Sequence, residues 1–443
     1  MRVTEREASG SRAGGPVVRV GLLGCGNVGG ELVELVDGDA EGIAARSGVR
    51  LEIVRVAVRN LAKPRSTTLA PARLTHDAHA VVTADDVDVV VELIGGIEPA
   101  RTLIVDALKA GKPVVTANKE LVANCGAELY AAAEAAAREL LFEAAVGGAI
   151  PLVRALRVSL AGERVRRVTG IVNGTTNYVL SRMSEERVSY GEALREAQSL
   201  GYAERDPTAD VEGYDASAKA AILASIAFNA DVVAGDVYRE GIERIEVADI
   251  DVAHRLGYEV KLLAVAERAG DSGAVGVRVH PAMVPKGHPL AGVRGPFNAV
   301  FVEGEAIGEL MFYGRGAGGK PTASAVLGDV LDAARSLASG AAVHLPPREH
   351  VEIRAIDELE AQYYLTIDVV DRPGVLAAVA AVFGEHGVSI RSMEQVDLGP
   401  EARLVLITHR AREADVQATL AGLRAVDAVE RIGQLLRVVG PEA

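Results

Sequence analysis

Hydrophobic positions along this chain fall into two rhythms. The run VVRVGLL from Val17 is almost continuously apolar and ends in glycines, the pattern of a strand buried on both faces of a parallel sheet. A helix from Gly29 to Val36 is predicted to follow it directly. LEIVRVAV ending at Val58, VDVVVELI from Val87 and PVVTA from Pro113 repeat the strand pattern, alternating with helical stretches such as 100–110 and 126–140. That alternation predicts a doubly wound α/β domain over 16–145. After EAAVGGAIP at 143–151 the rhythm changes, and VRRVTGIVN, VGVRVHPAMV and NAVFVEGEAIGELMFYG read as strands mixed with helices. These predict an α+β domain with an open sheet over 146–317. A helix from about Pro321 to Ser339, in a segment spanning 318–340, then leads back to the first domain.

The ends and joints have a different texture. Residues 1–15 are small and polar and read as a loose tail. The stretch HLPPREHVEIRAIDELE reads as a linker over 341–360. In 361–443, YYLTIDVVDRPGVLAAVAAVFGEHGVSIRSMEQ, then RLVLITH, a second helix and LLRVV give the order β-α-β-β-α-β of a separate ferredoxin-like unit.

Composition narrows the class. A chain of 443 residues, 49% of them hydrophobic, has enough apolar surface for several domains. Its formal charge of −14 argues against general affinity for nucleic acid or anionic membranes. Cys25 and Cys125 are its only cysteines, which excludes a disulfide framework and suits a reducing cytoplasm. No apolar run is long enough to cross a bilayer, and the first residues lack the hydrophobic segment of a secretion signal.

Gly24, Gly26 and Gly29 form G-x-G-x-x-G between a strand and a helix. The first glycine permits a tight turn, the second lets backbone amides approach a pyrophosphate, and the third allows helix and strand to pack closely. The turn between them, with Asn27 and Val28, and Ile94 and Gly95 after a later strand are assigned to the same dinucleotide site. A carboxylate after the second strand would bind the ribose hydroxyls of NAD. Here Arg59, Lys63 and Arg65 stand where a 2′-phosphate would sit, so NADP(H) is the preferred cofactor and NAD(H) the second choice. The competing reading makes these three solvated surface cations. Cys25 and Cys125 have no activating neighbours and read as packing residues. His76 and His79 have metal-like spacing, but no second ligand group accompanies them.

Two further segments carry candidate chemistry. Lys119 in TANKELVA follows an apolar strand, at the end of the sheet where ligands collect, and there it can lend or take a proton. In GYAERDPTADVEGYDASAKAAILASIAF, Glu204, Asp206 and Asp210 crowd a loop, while Asp215 and Lys219 stand four apart on one helix face. Acids beside a lysine suit an amino-acid ammonium group and a carbonyl that needs a proton as it is reduced. Against that stands a solvated helix start with an ordinary ion pair.

With TANKEL, EAAVGGAIP, GIVNGTTNY at 170–178, GYAERDPTADVEGYDASAK at 201–219 and GRGAGGKPTASAVLGD at 314–329, the chain resembles monofunctional homoserine dehydrogenases over nearly its whole length. The resemblance implies a Rossmann-type domain, a catalytic and dimerisation domain, and a C-terminal ACT domain. It implies reversible NAD(P)-dependent interconversion of L-homoserine and L-aspartate 4-semialdehyde in threonine, methionine and isoleucine biosynthesis. Lys219 matches the family's proton donor, and Lys119 a lysine near cofactor and substrate. Glu204, Asp210 and Asp215 match substrate-binding acids, and Asn173, Gly174 and Thr175 sit in the loop lining that pocket. Gly318 and Gly319, in GAGG, match a second cofactor contact. Glu143, Val146, Gly148 and Ile150 match a site for a monovalent cation, Na+ or K+. The resemblance also implies a homodimer or homotetramer, with threonine feedback through an ACT site near Asp371, Gly374 and Val375. A sensor of dinucleotide and amino acid without turnover is the alternative, and the set Lys119, Glu204, Asp210, Asp215 and Lys219 argues against it.

Overall fold

In the computed structural model, residues 15–65, 69–269, 273–340, 350–399 and 401–440 are described. All but the last residue of the expected tail, and nearly half of the expected linker, lie outside them. The chain divides into two compact units. The first runs to Ala149 and resumes from Ala317, and the second runs Ile150–Gly316 and takes in the C-terminal segment.

The first unit is built on β1 (Val17–Leu23), β2 (Arg50–Ala57), β3 (Leu74–Thr75), β4 (Val89–Glu92), β5 (Val114–Thr116) and β6 (Leu140–Leu141). Its helices are α1 (Asn27–Gly38), α2 (Ala40–Ser47), α3 (Ala78–Thr83), α4 (Ala100–Lys109) and α5 (Lys119–Ala136). The strands pair in parallel in the order β3-β2-β1-β4-β5-β6. The order reverses between β1 and β4, and a crevice opens there at the carboxyl ends of the strands. Val20, Leu22, Ile53, Val89 and Val91 are buried in the core together with Leu32 and Val33 of α1 and Val326 and Val330 of a later helix. The strands read as unbroken apolar runs because both faces are covered.

The second unit begins with a short turn, α6 (Leu152–Arg154), followed by β7 (Val165–Ile171), α7 (Gly174–Glu186), α8 (Tyr190–Ser199), α9 (Thr208–Val211) and α10 (Tyr214–Ala227). Next come β8 (Tyr238–Arg239), α11 (Val247–Arg255), β9 (Tyr258–Ala269), β10 (Ala274–Pro285), β11 (Phe297–Gly304) and β12 (Gly308–Arg315). The chain then re-enters the first unit as α12 (Gly319–Ser339). The long apolar segment expected as one strand is the hairpin β11–β12, turning through Gly308 at φ 68°.

The remaining elements are β13 (Glu360–Val370), α13 (Val375–Glu385), β14 (Ile390–Asp397), β15 (Glu401–Thr408), β16 (Ala411–Arg412), α14 (Glu413–Leu423), β17 (Val429–Ile432) and β18 (Leu436–Val438). The expected last strand is present, preceded by one further short strand. Val429–Ile432, which sequence reading passed over, pairs with Ile367–Val369 of β13, and the chain turns at Gly433, where a Cβ would strike the Thr366 hydroxyl. LLRVV supplies β18, which pairs antiparallel with Gln362–Tyr364 of β13 and also in parallel with β10. A single twelve-stranded sheet therefore runs from β12 at one edge to β14 at the other, with the C-terminal strands in the same unit as the catalytic ones.

Candidate active site

The three glycines of the first unit meet the geometric demands read from their spacing. Gly24 takes φ 94°, and a Cβ on it would lie 2.7 Å from the Leu93 carbonyl oxygen of the neighbouring loop. A Cβ on Gly29 would lie 2.5 Å from the Gly24 oxygen, so helix and loop pack as closely as glycine allows. At Gly26, which caps α1, a Cβ would meet nothing within 4 Å. That open backbone, followed by the amides of Asn27 and Val28 in the first turn of α1, is the setting a pyrophosphate requires. A cavity of about 920 Å³ opens beside it, lined by Gly24, Gly26, Arg59, Lys63, Ile94 and Gly95 among others. Arg59 and Lys63 are exposed on its rim. The Arg65 guanidinium is turned back onto the carbonyls of Asn60, Leu61 and Lys63. Gly319 brings the start of α12 against Asn27 and Glu31 of α1, so Gly318 and Gly319 sit at the same helix end as the glycine loop.

Sequence reading passed over the group that shapes the opposite wall. Glu92, fully buried at the end of β4, accepts the amides of Ile94 and Gly95 at 2.7 and 3.0 Å and the Thr116 hydroxyl at 2.6 Å. Thr116 Oγ1 accepts the Asn118 amide, and Asn118 donates through Nδ2 to Gly96 O and caps α5 through Oδ1. Lys119, exposed, is the first residue of that helix. One carboxylate thus ties the β4 loop to the loop that presents Lys119. Cys25 is not an activated thiol, because burial pushes its pKa up against a smaller opposing effect of Arg65.

In the second unit, α10 is buried over most of its length, so Asp215 and Lys219 are not the solvated pair that the alternative reading allowed. Lys219 Nζ donates to Asp215 Oδ2 at 2.7 Å and to Val172 O at 2.6 Å. Asn173 Nδ2 donates to Asp215 Oδ2 at 2.8 Å and to Asp210 Oδ1 at 2.7 Å, while its own oxygen caps α7 on the Thr176 amide. Burial pushes the Asp210 pKa up, opposed by the Asn173 hydrogen bond. Gly174 must be glycine, since a Cβ would lie 2.8 Å from Pro296 O. Thr175 Oγ1 donates to Tyr202 O, bringing the acidic loop against the start of α7. Asn173, Thr175, Asp210, Asp215 and Lys219 therefore form one cluster. Glu204 and Asp206 are exposed on the preceding loop, where Asp206 accepts the Thr208 amide.

Of the residues matched to a cation site, Glu143 is buried and its amide donates to Asp329. Gly147 and Gly148 take positive φ beyond Val146, and Ile150 begins the second unit. A carboxylate and backbone carbonyls are hard oxygen donors and suit a monovalent cation. Among the described residues no group of three or more His, Cys, Asp or Glu side chains is placed to hold a metal ion. At the C-terminal end, Gly374 caps α13 at φ 92°, Val375 is buried and Asp371 is exposed.

A dinucleotide crevice in one unit and a buried lysine among carboxylates in the other define a nicotinamide-dependent oxidoreductase. Family profiles described as homoserine dehydrogenase, its NAD-binding domain and the ACT domain match residues 151–331, 24–143 and 363–428. The chain belongs to the homoserine dehydrogenase family. It is 50% identical to the homoserine dehydrogenase of Corynebacterium glutamicum over 428 residues, 96% of each chain. It is 50% identical to that of Mycobacterium tuberculosis over 436 residues, 96% of this chain and 98% of the relative. The crystal structure of a homoserine dehydrogenase from Thiobacillus denitrificans superposes with a TM-score of 0.90 at 40% identity, covering 96% and 99% of the two chains. A hyperthermophilic archaeal homoserine dehydrogenase in complex with NADPH gives 0.60 at 26% identity, covering 75% of this chain and all of that one.

Proposed function

We propose that the enzyme reduces L-aspartate 4-semialdehyde to L-homoserine with NADPH, reversibly, in threonine, methionine and isoleucine biosynthesis in the cytoplasm. When bound, the dinucleotide supplies hydride to the aldehyde carbon. The oxygen then gains negative charge and needs a proton. Lys219 is the donor: its ammonium has three N–H bonds, two of them committed to Asp215 and Val172 O, leaving a third of fixed direction. That buried, doubly anchored amine is the observation that carries the reading. Asp210, Asp215 and Glu204 take the substrate's ammonium group, Asn173, Gly174 and Thr175 line its pocket, and Lys119 serves cofactor and substrate from the start of α5.

Arg59 and Lys63 on the cavity rim support the preference for the 2′-phosphate of NADP(H) over NAD(H). Glu143 and the carbonyls of Val146, Gly148 and Ile150 would hold Na+ or K+ in a structural role. The ACT domain supports feedback by threonine, and a homodimer or homotetramer would let two such domains share an effector site.

The test follows NADPH absorbance with L-aspartate 4-semialdehyde, and NADP+ reduction with L-homoserine. Lys219→Ala should lose about 10²–10⁴-fold in kcat, as expected for loss of a general acid. A wild-type protein without turnover removes the reading, and full activity in the variant removes Lys219 from its role. Arg59→Asp should erase the preference for NADPH over NADH.

A further inference from the structure

Lys219 is held by two acceptors, and each acceptor is itself held by an asparagine. Asp215 is fixed by Asn173, a residue already placed in the pocket. The other acceptor, Val172 O, is fixed by Asn298, whose Nδ2 donates to it at 3.0 Å. Asn298 lies on β11, one step beyond the last ladder pair between β11 and β7, Ala299 with Ile171. Where the ladder ends, the Asn298 side chain takes over, and the Val172 carbonyl, outside β7, also accepts from Lys219.

The surroundings are built around this side chain. Asn298 is 1% exposed. A Cβ on Gly316 would fall 2.0 Å from its Nδ2, and a Cβ on Gly174 would lie 3.6 Å from its Oδ1. Gly316, at the head of GAGG, leaves the room the amide occupies, while a Cβ at Gly174 would make only ordinary contact with it. Its orientation is set by chemistry, because the reversed amide would point one acceptor at another. Oδ1 has no hydrogen-bond partner among the described residues, so Nδ2 carries the side chain's hydrogen bonding there.

We propose that Asn298 is a positioning residue for the proton donor: by clamping the Val172 carbonyl it fixes the direction of the third Lys219 N–H bond. This rests on the reading of Lys219 as proton donor. The charged groups that face the amine are Asp215 on α10 and Asp210 on α9. Glu267 and Arg278, on the strands packed against α10, pair with each other, and Glu267 also pairs with Arg167.

Asn298→Ala should lower kcat about five- to tenfold, the effect of one hydrogen bond on a reacting group, with the aldehyde KM within about twofold of wild type. A misdirected donor makes proton transfer more rate-limiting, so the solvent deuterium isotope effect on kcat should rise. NADPH binding, followed by fluorescence titration, should be unchanged. Gly316→Ala keeps the amide but crowds it, and should show the same raised isotope effect if Asn298→Ala fails to fold. A raised KM with an unchanged isotope effect would overturn the proposal, since it would make Asn298 a substrate contact through Oδ1. Wild-type kcat and isotope effect in both variants would overturn it too. If Lys219→Ala is inactive while these variants are normal, the positioning role alone fails; if Lys219→Ala keeps its activity, the underlying reading fails.

Discussion

Glu92 and Lys261 show how single buried polar groups shape the two units. Glu92 accepts three hydrogen bonds and meets no cation among the described residues, so its role is to hold the Ile94–Gly95 amides and Thr116 in place. Glu92→Ala leaves those donors unsatisfied and should cost about 2–4 kcal/mol of stability. It should also weaken NADPH binding in a fluorescence titration. Glu92→Gln keeps an acceptor for the amides and should do less harm on both counts. Equal damage from the two would show that charge, not hydrogen bonding, is what the site requires. Lys261, 1% exposed under α7, donates to Asn177 Oδ1 and Val293 O. Burial, with a smaller effect of Arg294, pulls its pKa from 10.5 down to about 8. The folded state thus disfavours the charged amine, and the unfolded chain binds the proton more tightly. Stability is fully present above pH 10.5, falls through the window between 10.5 and 8, and is lower below 8 by about 3 kcal/mol. Lys261→Met carries no such titration. The melting temperature of wild type relative to this variant should therefore rise as pH goes from 7 to 10. A gap between them that does not change with pH would rule out the buried amine as its source.

At the level of elements, the legible parts were those whose function imposes a pattern. The glycine loop could be read because turn, phosphate approach and packing each demand a glycine at a fixed offset, and Asp215 and Lys219 because a helix face sets their spacing. Glu92 closes a run of valines and looks like an ordinary strand end, since nothing in one sequence shows that three donors converge on it. Asn298 stands alone at the start of a strand, and its meaning depends on Val172, which is remote in sequence. LLRVV announced the last strand but not that it would also pair with β10, which is remote in sequence. Arg437, at the centre of that strand, donates to Glu413 at 2.7 and 3.0 Å and to Glu240 at 2.7 Å. Burial opposes its charge, but the two glutamates outweigh it and raise its pKa. Arg437→Met would strand Glu413, 2% exposed, beside the Tyr363 hydroxyl that donates to it. The expected loss is about 3–5 kcal/mol in a denaturant titration. Glu413→Gln added to Arg437→Met should recover part of that loss, because it removes the stranded charge. A double variant no more stable than Arg437→Met alone would show that packing, not charge, carries the cost.

At the scale of the whole second unit, β18 is the strand that makes one sheet out of two. It pairs through Arg437 and Val438 with Ala282 and Met283 of β10, and through Leu436 to Val438 with Gln362 to Tyr364 of β13. Leu436 and Val438 are buried, and each contributes about 1.5–3 kcal/mol by leaving water. Removing the strand forfeits that burial and also leaves Glu413 without its guanidinium partner, a further cost of about 3–5 kcal/mol. The ACT strands keep their own core without it, since Leu365, Ile367, Val379, Leu404 and Leu420 pack together on the far side. β10 likewise keeps its twelve-residue ladder with β9. Truncation after Ile432 should therefore leave both halves folded but no longer unfolding together. Calorimetry of the truncated chain should resolve an added transition at lower temperature, with β13 amides exchanging faster where β18 has gone. Wild-type melting in the truncated protein would mean that other contacts couple the halves. Of these, the Val275–Ile353 bridge and the packing of Leu359 over Gly276 are the ones to remove next.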